Sequence, residues 1–134
     1  MYERYDESEE TTPTAVVTER GWPGHYILAD RCMFRRNTLV ELGEERVVVS
    51  TVGRMRTRDG ESDDTIGAEE RSFETMAFRA VMDGGYWEAD VRRQISLSDQ
   101  KWSIAGHEPS RSGEANDMHD GYVAAIVAML ANRA

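Results

Sequence analysis

Apolar and polar residues alternate with a two-residue period through the middle of the chain and switch to a helical period towards its C-terminal end. That is the pattern of strands followed by a helix. The clearest strand pair covers residues 73–97, with Asp83-Gly84-Gly85 at its centre. Alternation places Met76, Phe78, Ala80 and Met82 on one face. A two-residue turn at Gly84-Gly85 sets Met82 opposite Trp87, Ala80 opposite Ala89 and Phe78 opposite Val91, with Arg79 opposite Asp90 on the reverse. Apolar pairs then share one side and an opposite-charge pair the other; a turn at Asp83-Gly84 keeps the faces and changes the partners. A second hairpin is expected where residues 39–42 run through Gly43-Glu44-Glu45 into the β-branched stretch 46–52, with Gly43 supplying a positive φ. Val47-Val48-Val49 is apolar on both faces, as suits a central strand covered on both sides.

Weaker signals fill in the remainder. Residues 25–34 read as a strand followed by the cluster Arg35-Arg36-Asn37, and residues 101–105 as a short edge strand with Trp102 and Ile104 inward. Gly21-Trp22-Pro23-Gly24 is a turn cluster in which Trp22 would lid one end of the core. Residues 54–70 hold glycines and few large side chains, so they read as a long exposed loop, and residues 107–113 as a shorter one. From 114 to 132 a stripe of Met118, Tyr122, Ile126, Met129 and Leu130 marks an amphipathic helix. Glu114, Asp117 and Asp120 lie near its start, where the helix dipole favours negative charge. Gly121 inside it suggests close approach to the sheet. The expected fold is α+β: an antiparallel β-sheet built of hairpins, with a C-terminal amphipathic helix packed on one face. Residues 19–134 would form that single domain, and residues 1–18 an acidic, mobile arm with strand only at 15–18.

Composition narrows the class. At 134 residues, with 40% hydrophobic and 31% charged residues, the chain suits one globular domain. No apolar run approaches the roughly 20 residues of a membrane helix, and the acidic start is unlike a secretory signal. A lone Cys32 offers no disulfide framework, which suits a reducing cytosol, so a cytoplasmic protein is expected. The net charge is −9, which repels phosphates, so no direct nucleic-acid binding is expected. The same charge suits a basic protein surface. Of the 16 basic residues only Lys101 is lysine, a bias that fits a GC-rich coding sequence or the bidentate pairing of arginine with carboxylates.

Candidate chemistry is sparse. Asn116-Asp117-Met118-His119-Asp120 is the densest polar cluster, but Asp117 and His119 do not share a helical face, whereas Asn116 and Asp120 do. Helix capping and dipole matching account for it, and no ligand spacing makes a metal site. Cys32 with His25 or His119 is a conceivable nucleophile and base, although a lone strand Cys is commonly a small hydrophobe. Ser50-Thr51-Val52-Gly53 reads as a polar strand end. Arg31, Arg35 and Arg36 form a compact basic cluster, fit either to grip an anion or to pair with acids such as Glu41 and Glu44. The acidic run Asp59, Glu61, Asp63, Asp64, Glu69 and Glu70 resembles the charge spacing of a phosphate backbone, able to enter a cationic groove or simply to keep the protein soluble.

The stretches Arg20-Gly21-Trp22-Pro23-Gly24-His25, Cys32-Met33-Phe34-Arg35-Arg36-Asn37-Thr38-Leu39, residues 47–53, Glu74-Thr75-Met76-Ala77-Phe78 and Asn116-Asp117-Met118-His119 resemble small uncharacterised proteins of phages and mobile genetic elements of Gram-negative bacteria. The resemblance covers about residues 20–130. It implies an anti-defence protein, such as an anti-CRISPR that binds a Cas effector complex and blocks nucleic-acid binding through an acidic surface. The partner-binding residues would then be Asp59, Glu61, Asp63, Asp64, Glu69 and Glu70, with Trp22, Arg35 and Arg36 as secondary contacts. No cofactor is expected, and a homodimer stays open. Two alternatives remain: a small-ligand or nucleotide-signal binder with a pocket of Trp22, His25, Arg35, Arg36 and Thr51, and an enzyme built around His119, Asp117 and Cys32.

Overall fold

The computed structural model describes residues 14–20, 32–56, 59, 63–64, 71–96, 103–105 and 112–133. Seven strands precede one helix: β1 (Val16–Glu19), β2 (Cys32–Leu42), β3 (Glu45–Arg56), β4 (Asp63–Asp64), β5 (Arg71–Asp83), β6 (Tyr86–Ile95), β7 (Ser103–Ala105) and α1 (Ser112–Arg133). They form one antiparallel sheet in the order β1-β2-β3-β5-β6, with β4 beside β3 and β7 beside β5. The expected α+β class, with the helix on the sheet, is what the molecule has.

The β2–β3 hairpin turns at Gly43, whose φ is +61°, and the β5–β6 hairpin at Gly84 and Gly85, with φ of +62° and +85°. Two successive positive φ values match the twist of a two-residue hairpin. Val47, Val48 and Val49 are all fully buried, and β3 stands at the centre of the sheet, as the run of three apolar residues requires. Register places Thr38, Val49 and Ala77 on one face, together with Val40, Val47, Thr51 and Thr75. On that face α1 packs: Tyr122, Ile126 and Leu130 meet Val40, Leu42, Val47, Val49 and Ala77 in one buried cluster.

The opposite face is buried at its centre and exposed towards its ends, at Met33, Arg35 and Met82. Leu39, Val48, Val52 and Phe78 are buried there, with Asn37 and Ser50 among them. Arg20, just past β1, spans this face. Its Nε donates to Asn37 Oδ1 at 2.9 Å, its Nη1 donates to the Trp87 carbonyl of β6 at 2.7 Å, and its guanidinium lies 4.7 Å from the Tyr86 ring centroid. One arginine can touch both outer strands only if the sheet curls over this face.

Several expectations need correction. β2 does not stop before Arg35-Arg36-Asn37 but runs through them to Leu42, because alternation continues across the charges. Residues 54–70 are not one loop: β3 continues to Arg56, and Asp63–Asp64 form β4 against Arg56 and Met55. The β5–β6 register starts as expected, with Met82 opposite Trp87 and Ala80 opposite Ala89, but shifts between Phe78 and Ala80, so Phe78 faces Gln94 rather than Val91. Arg79 therefore loses Asp90 as a partner and pairs with Glu45 instead. Gly121 is exposed on the outer side of α1, so it mediates no approach to the sheet. Strand 15–18 is shifted by one residue, to Val16–Glu19. Trp22, His25 and Trp102 lie outside the described residues.

Gly53 is opposite Phe73 in the β3–β5 register, and a Cβ on Gly53 would fall inside the Phe73 ring, 2.7 Å from Cγ and Cε2. Phe73 in turn meets Phe34 edge-to-face at a centroid distance of 5.4 Å. Next to it Arg54 adopts φ +53°, where the partner of β3 changes from β5 to β4. Gly53→Ala is expected to lower stability by roughly 1–3 kcal/mol through overpacking, as urea denaturation would show. Gly113→Ala, with nothing within 4 Å of its added Cβ, serves as the neutral control.

Candidate functional site

The densest polar constellation lies between α1 and the sheet. His119 projects from the inner side of α1 and is fully buried. Its Nε2 lies 2.7 Å from Thr38 Oγ1 on β2, and its Nδ1 lies 2.7 Å from Thr51 Oγ1 on β3. Thr51 Oγ1 is 2.5 Å from Thr75 Oγ1 on β5. Thr38 Oγ1 also reaches Glu19 Oε1 on β1 at 3.1 Å. Glu19 receives a fork from Arg36: Nε donates to Oε2 at 3.1 Å and Nη2 to Oε1 at 2.6 Å. Arg36 also contacts Asp120 Oδ1 at 2.9 Å, and its Nη1 donates to both the carbonyl and Oδ1 of Asn116 at 3.3 Å. One chain of polar contacts thus runs from α1 through four adjacent strands.

Proton counting fixes its direction. Arg36 holds the Glu19 carboxyl below its ordinary range, chiefly through their hydrogen bond and against the opposing effect of burial, so Glu19 is ionised and can only accept. Thr38 must therefore donate to Glu19 and accept from His119. That requires a proton on Nε2 and leaves Nδ1 as an acceptor. Thr51 then donates to Nδ1 and accepts from Thr75. Each hydroxyl hydrogen between Thr75 and Glu19 has a single consistent placement.

Burial, aided by the charge of Arg36, depresses the His119 pKa from 6.5 to about 4. A second ring proton would sit on Nδ1, where it would meet the Thr51 hydroxyl hydrogen and force two hydroxyls to reverse. The site therefore works as a neutral clamp. It is no reservoir for a base: both ring nitrogens are engaged by threonine hydroxyls.

The sequence-expected residues separate into groups. Arg36 pairs across strands with Thr51, but both are consumed by the clamp. Arg35 lies on the other face, exposed. The pocket expected from Trp22, His25, Arg35, Arg36 and Thr51 is not assembled by its described members. Cys32 is buried six residues along β2 from Thr38, about 20 Å away at the usual strand rise, and Asp117 is exposed on α1. His119, Asp117 and Cys32 therefore do not converge. Among the described residues no three metal-ligating side chains cluster, and no helix is long and apolar enough to cross a membrane. Of the acidic run, Asp59 is exposed and the backbone of Asp63 and Asp64 forms β4; Glu61, Glu69 and Glu70 lie outside the described residues. Glu41 pairs with its cross-strand neighbour Arg46 at 3.2 Å, not with Arg35 or Arg36.

What the sequence reading missed is His119 as a core residue. The available signal was its spacing: His119 follows Ala115 by four residues and precedes Tyr122 and Ile126 by three and seven, on the buried stripe. The shared face of Asn116 and Asp120 was legible, and both reach Arg36.

No protein-family model matches the chain, and neither a curated protein nor a solved structure was found to match it.

Two outcomes follow from the clamp. A base whose folded pKa lies below its unfolded value contributes stability above the unfolded pKa and loses it as pH falls towards the folded one. Neutral His119 should thus cost the fold at most about 3 kcal/mol between pH 6.5 and pH 4, and His119→Gln should flatten that slope in denaturant titrations across the interval. Thr38→Val, nearly isosteric, leaves the Nε2 proton and one Glu19 lone pair unmatched and should cost about 1–3 kcal/mol at pH 7.

Proposed function

We propose that the chain acts by binding rather than by catalysis, as a phage-type or mobile-element anti-defence protein that lays an acidic surface on a basic face of a host complex. The proposed partner is a nucleic-acid-binding assembly of the host, a Cas effector complex being the case that the sequence resemblance suggests. The observation that carries this reading is where the charge resides. The protein has 25 acidic against 16 basic residues, and four arginines of the described residues are already spent on acids of the same chain. Arg36 is held by Glu19 and Asp120, Arg46 by Glu41, Arg79 by Glu45 and Arg92 by Asp90. The excess of carboxylates remains for an external cation.

A second feature supports it. Asp63–Asp64, in the middle of the acidic run, are hydrogen-bonded to β3 at Arg56 and Met55. A carboxylate-bearing segment anchored to a sheet loses less conformational entropy on docking than a free loop does. The catalytic alternative draws no support from His119, which is occupied on both ring nitrogens.

Asp63→Lys combined with Asp64→Lys tests the proposal. In pull-downs from a CRISPR-bearing host, the unaltered protein should retain a Cas assembly and release it progressively as salt is raised. The double variant should bind at least about tenfold more weakly, a loss of 1.4 kcal/mol or more. Equal retention of both forms, insensitive to salt, would refute acidic docking.

A further inference from the structure

A groove of about 330 Å³ opens beside the β2–β3 turn, lined by Glu44, Glu45, Arg46, Arg79, Ala80, Trp87 and Arg93. Its volume lies in the range of small-molecule sites. Within an acidic protein it gathers three arginines against two glutamates.

The arginines are brought together by an irregularity of β6. Register runs Met82 with Trp87 and Ala80 with Ala89 on one side of the shift, and Phe78 with Gln94 and Ala77 with Ile95 on the other. The four residues Asp90, Val91, Arg92 and Arg93 thus face the single residue Arg79. Continued regularly from the turn, the ladder would have set Asp90 opposite Arg79 and neutralised it. Asp90 is instead turned aside, its Oδ1 accepting from the backbone N–H and Nε of Arg92 at 3.2 Å. Approached from the other end, the register brings Arg93 next to Arg79, and both line the groove.

Like charges facing one another across a strand pair are unfavourable, and the charges here are unequally satisfied. Arg79 has Glu45, and Arg46 has Glu41 while its guanidinium lies 5.0 Å from the Trp87 ring centroid. Arg93 makes no ion pair or hydrogen bond with the described residues and feels the Asp90 carboxylate only through space. A bulge that replaces an aspartate opposite Arg79 by an arginine whose guanidinium has no hydrogen-bonded acid, at the rim of a cavity with an indole wall, is the sort of re-aiming that bulges serve at binding sites.

We infer that this groove binds a small molecule carrying one oxyanion group, a carboxylate or a phosphate, attached to a flat apolar body. The oxyanion lies between Arg93 and Arg79, where a guanidinium fork matches its geometry, and the body lies along Trp87 and Ala80. The inference is independent of acidic docking, because it uses none of the residues of the acidic run.

The test uses the full chain and four probes: adenosine monophosphate, benzoate, inorganic phosphate and uncharged adenosine. Adenosine monophosphate or benzoate should bind saturably by calorimetry and raise the melting temperature, and whichever is tighter identifies the oxyanion. Adenosine and inorganic phosphate, each lacking half of the recognised chemistry, should bind more weakly. Arg93→Gln should weaken binding by about tenfold or more. Arg93→Glu should abolish it while leaving the melting temperature close to that of the unaltered chain, since the attraction gained towards Arg79 offsets the repulsion from Asp90. A purely structural Arg93 would lower stability instead. The inference is overturned if neither adenosine monophosphate nor benzoate binds at up to about 10 mM, if adenosine binds as tightly as its monophosphate, or if both Arg93 variants keep the affinity of the unaltered chain.

Discussion

A neutral imidazole between two threonine hydroxyls holds this fold in register. Apolar packing of Tyr122, Ile126 and Leu130 on the sheet supplies the larger share of the attraction between helix and strands, but such contact is non-directional and tolerates sliding. The His119 contacts are directional. Each ring nitrogen has one partner on one strand, so rotation or translation of the helix by even a fraction of a turn would orphan a buried polar atom. A half-satisfied buried network is worse than none. Completeness of the chain from Thr75 to Asp120 is therefore what selects one seating of the helix.

The same chain explains why Glu19, on a short and otherwise exposed edge strand, belongs to the fold. β1 contributes little apolar burial, and its Val16 and Val17 are about half exposed. Its anchoring comes from the carboxylate that ends the polar chain and from Arg20, whose guanidinium reaches over the opposite face to Trp87 and Tyr86. Glu19 at the end of β1 and Arg20 just past it thus fasten the two faces of the sheet. Arg36, gripping Glu19, Asp120 and Asn116 together, is in effect the outer bolt of the clamp. Among the described residues Arg46, Arg79 and Arg92 are likewise held by acids of the same chain.

Much of the architecture was legible because it follows from short-range rules. Glycines at the two hairpin turns, alternation along the strands and the stripe of Tyr122, Ile126 and Leu130 all carry a local period. The failures are equally physical. The register shift between Phe78 and Ala80 leaves no mark on alternation, because regular and bulged pairings present the same residues in the same order. Asp90 and Arg79 formed a complementary pair on paper, and the chain instead gave each a nearer partner. His119 was masked by its neighbours: Asn116, Asp117 and Asp120 face solvent or Arg36, and among them a histidine reads as one more polar residue of a helix start. Its burial depends on Thr38 and Thr51, distant in sequence and brought together only by the β2–β3 pairing. The acidic run was legible as charge, whereas its anchoring through β4 was not, since a two-residue strand of aspartates has no β-propensity to announce it.

The most direct test of this account is nitrogen NMR of the His119 side chain in uniformly labelled protein, followed from neutral pH downwards. Burial between Thr38 and Thr51 predicts a neutral ring protonated on Nε2, with Nδ1 resonating as an unprotonated acceptor, and no titration until the pH approaches about 4. A ring that carries its proton on Nδ1, or that titrates near its ordinary value of 6.5, would contradict it.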